Sequence, residues 1–261
     1  MRFNGNKYMS SLGMAIFLLL SDDSWSSSTL VLEASSEDFM GKSLMSACGS
    51  SAAPLVFHTK ALNYREQRLG DADGYLLKNG QYEEADFAYT NFRQYGLSSL
   101  ERSQGTLLEL DLESTGLKGE DVALLGSFEQ LQTLNIANNY LKDGDLSILS
   151  PSLSHLQDLN LEHNFLTGGG LGFLEGLGNL KILDCGFMKL GDEGISQIVR
   201  FLPQLEALYI SATSITNSSL AKLKEMPCLT RVNISYNSIS ASDVEEFRSN
   251  VPFTVIANHM K

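Results

Sequence analysis

Cysteine is scarce in this chain. Its 261 residues include Cys48, Cys185 and Cys228, too few and too far apart for a disulfide scaffold or a thiolate metal site, so buried, inert thiols are expected. Histidine is scarce as well: His58, His155, His163 and His259 show no HExxH pattern and no pair four residues apart, which leaves no metal-ligand spacing. Positive charge is in short supply, with 19 Lys and Arg against 31 Asp and Glu and a formal net charge of −12. That balance disfavours attraction to nucleic-acid phosphate or anionic lipid, and favours a partner with a basic or neutral surface. No G-x-S-x-G, P-loop, dinucleotide-binding glycine pattern or Cys/His dyad context occurs. Hence no cofactor, no metal and no enzymatic activity are expected.

Long apolar runs are missing too. The stretch LGMAIFLLL, Leu12 to Leu20, is too short for a bilayer span, which takes about 20 residues. It follows Arg2 and Lys7 and precedes the small polar residues SDDSWSSS. A basic start, a compact apolar run and a small-residue segment is the order of a secretory leader. Residues 1–26 are therefore expected to be a signal peptide cut near Ser26 and the chain to be secreted or extracytoplasmic, although Asp22 and Asp23 make the cleavage site imperfect. The other reading of the run, a buried helix or strand, would leave the chain cytoplasmic. Residues 27–57, rich in Ser, Ala and Gly as in ACGSSAAP, read as a poorly ordered lead-in.

What the chain has in abundance is leucine at a fixed period. LLELDLESTGL begins at Leu107, LQTLNIANNYL at Leu131, LQDLNLEHNFL at Leu156, LKILDCGFMKL at Leu180, LEALYISATSI at Leu205 and LTRVNISYNSI at Leu229, so successive starts lie 24 or 25 residues apart. A seventh, FTVIANHMK, is expected to start at Phe253. In each unit the first, fourth and sixth residues, such as Leu131, Leu134 and Ile136, alternate with polar ones as a short half-buried strand requires. The second halves, as in Ile195, Ile198, Val199 and Leu202, have the spacing of a helix with one buried face. One unit cannot bury its apolar face alone, but stacked units can. The recurring Asn139, Asn164 and Asn237 fit a turn where a buried amide satisfies backbone groups of the adjacent unit. Thr115 and Thr213 keep part of that capacity, and Met188 keeps none.

These lines reproduce LxxLxLxxNxL, and from Leu107 to Lys261 the chain resembles the leucine-rich repeat family. The resemblance implies an α/β solenoid, with a curved parallel sheet on the concave side and helices on the convex side. Segments such as LGDEGISQIVRFLPQ look like the helical halves of the ribonuclease-inhibitor and GALA types, the period being nearer the GALA type. Upstream, residues 58–106 are expected to be helical, because GYLLKNGQYEEADFAYTNF, with Gly80, Tyr82, Ala85 and Tyr89, resembles the turn of a tetratricopeptide unit. A helical hairpin there would cap the exposed end of a repeat domain over 107–261.

In such a fold the concave sheet is the binding surface, and the second, third, fifth, seventh and eighth residues of each unit face away from the core. The earlier repeats place acids there, Asp111, Glu113, Asp158 and Glu162; the later ones place Asp184, Phe187, Tyr209, Arg231 and Tyr236. Gly186, Ser211 and Ala212 are expected to form a floor, with Phe187, Tyr209 and Tyr236 as its walls and the acids steering a basic partner. The bland reading folds Phe187 back over Met188 and Leu190. Function is thus expected to be non-enzymatic protein–protein recognition on the concave face. A substrate adaptor or secreted effector acting on host or partner-cell machinery is the alternative that the GALA resemblance implies, though PLVFHTKALNYREQRL lacks the F-box pattern. A catalytic site at Asp158, Glu162 and His163 is explained more simply as a solvated acidic strand face. The Gly168–Gly170 run reads as a turn rather than a phosphate cradle, and Asn217 and Asn233 lie in glycosylation sequons.

Overall fold

Leucines at the fourth position of each repeat face inward together, and that one row organises the molecule. In the computed structural model, which describes residues 17–19, 30–33, 55–149 and 153–258, Leu62, Ala85, Leu110, Leu134, Leu159, Leu183, Leu208, Val232 and Val255 lie side by side on successive strands. The strands are β1 (Phe17–Leu19), β2 (Leu30–Glu33), β3 (Leu55–Asn63), β4 (Gly80–Asp86), β5 (Glu109–Asp111), β6 (Thr133–Asn135), β7 (Asp158–Asn160), β8 (Ile182–Asp184), β9 (Ala207–Tyr209), β10 (Arg231–Asn233) and β11 (Thr254–Ile256). They form one sheet in chain order. β1 runs antiparallel to β2, and every later neighbour is parallel.

Among the described residues six helices return the chain between strands: α1 (Asp71–Asn79), α2 (Gly119–Leu125), α3 (Asp143–Leu149), α4 (Gly191–Phe201), α5 (Asn217–Leu223) and α6 (Ala241–Ser249). The return after β7 is instead a 3-10 turn, Gly169–Leu174, and that after β4 contains two, Phe92–Gln94 and Leu97–Ser103. Between the layers lies one continuous leucine-rich core. The fold is a leucine-rich repeat solenoid. Its returns are mixed rather than uniformly helical, so the finer ribonuclease-inhibitor or GALA likeness does not carry over.

The asparagine column works as the sequence implies. The buried Asn164 donates to the carbonyls of Ile136 and Leu161 at 2.9 Å and accepts from the Leu141 amide at 3.1 Å. Asn139 ties Leu112 and Leu117 in the same way, and Asn237 ties Ile210 and Ile215. Thr213 reaches only the Ile210 carbonyl of its own repeat and the Asn237 side chain. Met188 is buried and apolar, a gap in this ladder. Many acids serve the helices: Asp73, Asp121 and Asp145 each accept from the backbone N–H three residues earlier, closing the first turn.

Four expectations are corrected. The segment 58–106 is not a helical hairpin of tetratricopeptide type: it holds β3, one helix α1, β4 and 3-10 turns. Tyr82, Ala85 and Phe87 are buried at the first, fourth and sixth positions of a further repeat, and the ring of Phe87 stacks on that of Phe92 with centroids 4.1 Å apart. Aromatic side chains there fill the volume that leucine fills later, which hid the period. In β11 the register pairs Val232 with Val255, so Val255 is the buried residue; counting from Phe253 had turned Ile256 inward, a one-residue slip that exchanges the two faces of a strand. Cys185 is buried, and burial pushes its thiol up, but Cys228 is exposed. Finally, the Gly168–Gly170 run is a turn as expected, but a packed 3-10 one rather than a flexible one, and its glycines permit close contact: a Cβ on Gly168 would meet the Gly194 nitrogen at 2.5 Å. Cys48, His259, the leader apart from β1, and most of 27–57 lie outside the described residues.

Candidate functional site

Two backbone devices at the end of each strand decide which side chains reach the concave surface. At the fifth position an Asp or Asn side chain accepts from the amide two residues on, as in Asp111 to Glu113, Asn135 to Ala137, Asn160 to Glu162, Asp184 to Gly186 and Asn233 to Ser235. This turn bends the chain off the sheet. Tyr209 is the departure from that column. At the eighth position the backbone is left-handed in each of the eight repeats where that residue is described: Glu66, Tyr89, Ser114, Asn138, His163, Phe187, Ala212 and Tyr236 have φ between 52° and 61°. A left-handed residue flanked by buried neighbours must throw its side chain outward, so this position forms a ridge along the strand ends.

At the N-terminal end of that ridge the acids are already engaged. Arg65 donates to Asp86 at 2.9 Å and to Asp111 at 2.6 Å, and its guanidinium lies 5.8 Å from the centre of the Tyr89 ring. Tyr89 in turn donates to Glu113. Asp111 and Glu113, both predicted contact residues, are thereby held within the chain.

Further along, the carboxylates stand differently. Asp158, Glu162 and Asp184 are half-buried, and among the described residues none of them pairs with a Lys or Arg; Glu162 has only the imidazole of His163, 4.0 Å away. A Cβ on Gly186 would lie 3.3 Å from the Ser211 carbonyl oxygen, 3.4 Å from the Asp184 carboxylate and 3.5 Å from that of Glu162, so this glycine leaves a methyl-sized recess between two acids and the next strand end. Desolvation raises Asp184 to about 6, offset in part by the Gly186 amide and reinforced by the charges of Glu162 and Asp158. Desolvation also raises Asp158 and Asp111, the latter opposed by the Glu113 amide.

Phe187 stands at the edge of the recess, 44% exposed. Its ring does not fold over Met188 and Leu190; it stacks on His163 of the preceding repeat, with centroids 4.4 Å apart. The acidic and aromatic groups, assigned to opposite halves of the solenoid by sequence, therefore meet at β7 and β8. Ala212 lies between the strand ends bearing Phe187 and Tyr236, and the backbone bonds Phe187 to Ser211, Ala212 to Ser235 and Tyr236 to Asn258 fix that order. Tyr236 is exposed, and Tyr209 is half-buried beside Asp184. Arg231 is exposed in the row Asp158, Ile182, Ala207, Arg231, three strands or about 14 Å from Asp158. It is not part of the acidic recess.

Four further residues belong to this surface. His163 completes the ring stack, and Arg65 closes the N-terminal network. Tyr140 and Phe165, at the tenth position of adjacent repeats, stack with centroids 6.2 Å apart. Their signal in the sequence is position alone: each sits between a buried asparagine and a buried leucine and so has only solvent to face. Among the described residues no group of His, Cys, Asp and Glu is disposed to hold a metal ion.

No protein-family model matches the chain, and no curated protein does. Among solved structures it is similar to an internalin, inlF, from Listeria monocytogenes, with 19% identity, 79% of this chain and 55% of that chain covered, and a TM-score of 0.57. It is also similar to an internalin C2, inlC2, from the same organism, with 20% identity, 77% and 71% covered, and a TM-score of 0.44. The chain thus spans little more than half the length of the first. At 19% identity the likeness to the first is one of fold, and it agrees with the solenoid described above.

Proposed function

We propose that this chain is a non-enzymatic recognition module that holds a partner protein on its concave face, at the strand ends of β7 to β10. The observation that carries the reading is the recess at Gly186: the carboxylates of Asp184 and Glu162, without a lysine or arginine partner among the described residues, beside an exposed, stacked His163–Phe187 pair. Charges desolvated in this way are costly until an opposite charge arrives, and rigid exposed rings are the usual energetic anchors of protein interfaces. The partner surface is therefore basic. Arg231 and Tyr236 lie at the periphery of the same face, while Asp111 and Glu113 contribute through the Arg65 network rather than directly. The likeness in fold to the internalin inlF supports an interaction scaffold. Among the described residues no helix is long and apolar enough to cross a membrane, and an exported module fits the basic-then-apolar leader.

The test is photo-crosslinking from position 187 compared with a position on α4, in parallel with a Phe187→Ala, Tyr209→Ala double variant. A basic protein should be captured from position 187 only, and its recovery should fall about tenfold or more in the double variant. Equal recovery from both chains overturns the site. A mature terminus near Ser27 in an extracellular fraction would support export; an intact Met1 in the cytosol would contradict it.

A further inference from the structure

We infer that the recognition surface turns over the rim of the sheet onto the Tyr140–Phe165 ring pair, and that it takes a protein segment in which apolar side chains adjoin a lysine or arginine. The inference rests on the concave-face reading and extends it to a surface outside the sheet.

Phe165 and Tyr140, at 62% and 57%, are the most exposed large apolar side chains among the described residues. Neither packs in the core, because Asn139 and Leu141 on either side of Tyr140, and Asn164 and Leu166 on either side of Phe165, take the inward places. The backbone that presents them is pinned: the Tyr140 amide donates to Leu117 at 3.1 Å, that of Phe165 to Leu141 at 2.9 Å, and Asn164 locks the turn between. Rings held on such a backbone lose little freedom when a partner arrives. The pair is also continuous with the concave site, since His163 and Phe165 belong to one turn and His163 stacks on Phe187. Two ring pairs from three adjacent repeats thus stand on either side of one turn as a band, and exposed apolar groups clustered in this way mark an interaction site more than scattered exposure does.

Charge selects the occupant. On the concave side the band is bounded by Glu162, Asp184 and Asp158, and on its other side the exposed Lys142 forms a β-bridge with Phe165 and the exposed Lys189 one with Thr167. A segment lying across it would set its cation towards the carboxylates, its apolar side chains on the rings, and an acidic or neutral end towards the lysines. A second copy of this chain is the poorer occupant, because two molecules of formal net charge −12 repel.

The test uses purified full-length chain and short fluorescent peptides of stated composition. One alternates arginine with leucine and phenylalanine, one has glutamine for arginine, and one has serine for the apolar residues. The first should bind and the other two should bind at least about tenfold more weakly. A Tyr140→Ser, Phe165→Ser variant, whose melting should match the wild type because both side chains are mostly exposed, should lose at least about tenfold for the first peptide. A Glu162→Gln, Phe187→Ala variant should lose as much. If the rim variant binds normally while the concave variant does not, the rim inference is overturned and the concave reading stands. If neither loses affinity, or no peptide binds, both fall. Self-association in sedimentation that the rim variant abolishes would make the occupant a second copy and overturn the inference.

Discussion

The imidazole of His163 and the ring of Phe187 lie face to face, 16° from parallel, although both residues hold left-handed backbone with φ of 54° and 55°. Bulky residues seldom adopt that conformation, and each costs of order 1 kcal/mol. Here the amide of His163 is tied to Gly186 and that of Phe187 to Ser211, so the sheet dictates the backbone and the backbone aims the rings.

Glycine at position 187 should therefore fold better than alanine. Both variants lose the stack on His163, but Phe187→Gly also relieves the left-handed strain, which Phe187→Ala keeps. Gly should exceed Ala by about 1 kcal/mol in urea unfolding, with partner binding lost in both. An alanine variant as stable as the glycine one would show that the conformation carries no strain.

The asparagine ladder should be costly to break. Asn164→Ala leaves the Leu141 amide and the Leu161 carbonyl without partners in the interior, while the Ile136 carbonyl keeps its bond from Asn139, and buried unmade bonds cost about 1–3 kcal/mol each. A loss of at least about 2 kcal/mol is expected by chemical denaturation, with amide exchange rising first around Leu141. A loss within about 0.5 kcal/mol, the range of ordinary surface changes, would mean that water replaces the side chain.

Asp184 makes the free protein prefer acid. Because burial raises this carboxyl to about 6, the folded state binds the proton more tightly than the unfolded chain, whose ordinary value is about 4. Its contribution to stability is complete below about pH 4 and is lost as pH rises through about 6. Asp184→Asn keeps an acceptor for the Gly186 amide, as Asn135 and Asn160 do in their own repeats. The variant should be more stable than the wild type by about 1–2 kcal/mol at pH 7.5, with the gap closing on acidification. Melting curves over that range decide it; a variant less stable at neutral pH would contradict the sign.

Gly168→Ala should disrupt the contact between the third and fourth repeats. The added methyl would strike the Gly194 amide nitrogen and the Leu190 carbonyl oxygen, backbone atoms that cannot swing aside. Overpacking of this kind costs about 1–3 kcal/mol. Gly178→Ala, with open space around the new methyl, is the control and should be close to neutral.

From Leu107 to Asn237 the repeats were plain in the sequence, because leucine at the first position and leucine, isoleucine, valine or the small Cys185 at the fourth and sixth recur at a fixed period. The two repeats before them were not, since Tyr82, Ala85 and Phe87 occupy the same places with other shapes, and a lone helix among them imitates a hairpin. The candidate site was legible by residue but not by company. Phe187 and the acids stood out as departures from the repeat, yet Asp111 and Glu113 proved to be held by Arg65 and Tyr89, and Tyr140 and Phe165 passed unnoticed at a position where exposure follows from their neighbours.

By itself the sequence determined the stacking of units and the inward row of side chains, because apolar periodicity is local and each repeat states it again. Only the tertiary structure decided which acids stay without a cation, and which rings join into one band. Those properties depend on pairings between residues 20 or more positions apart, such as Arg65 with Asp111 and His163 with Phe187, and a pattern read along one chain does not contain them.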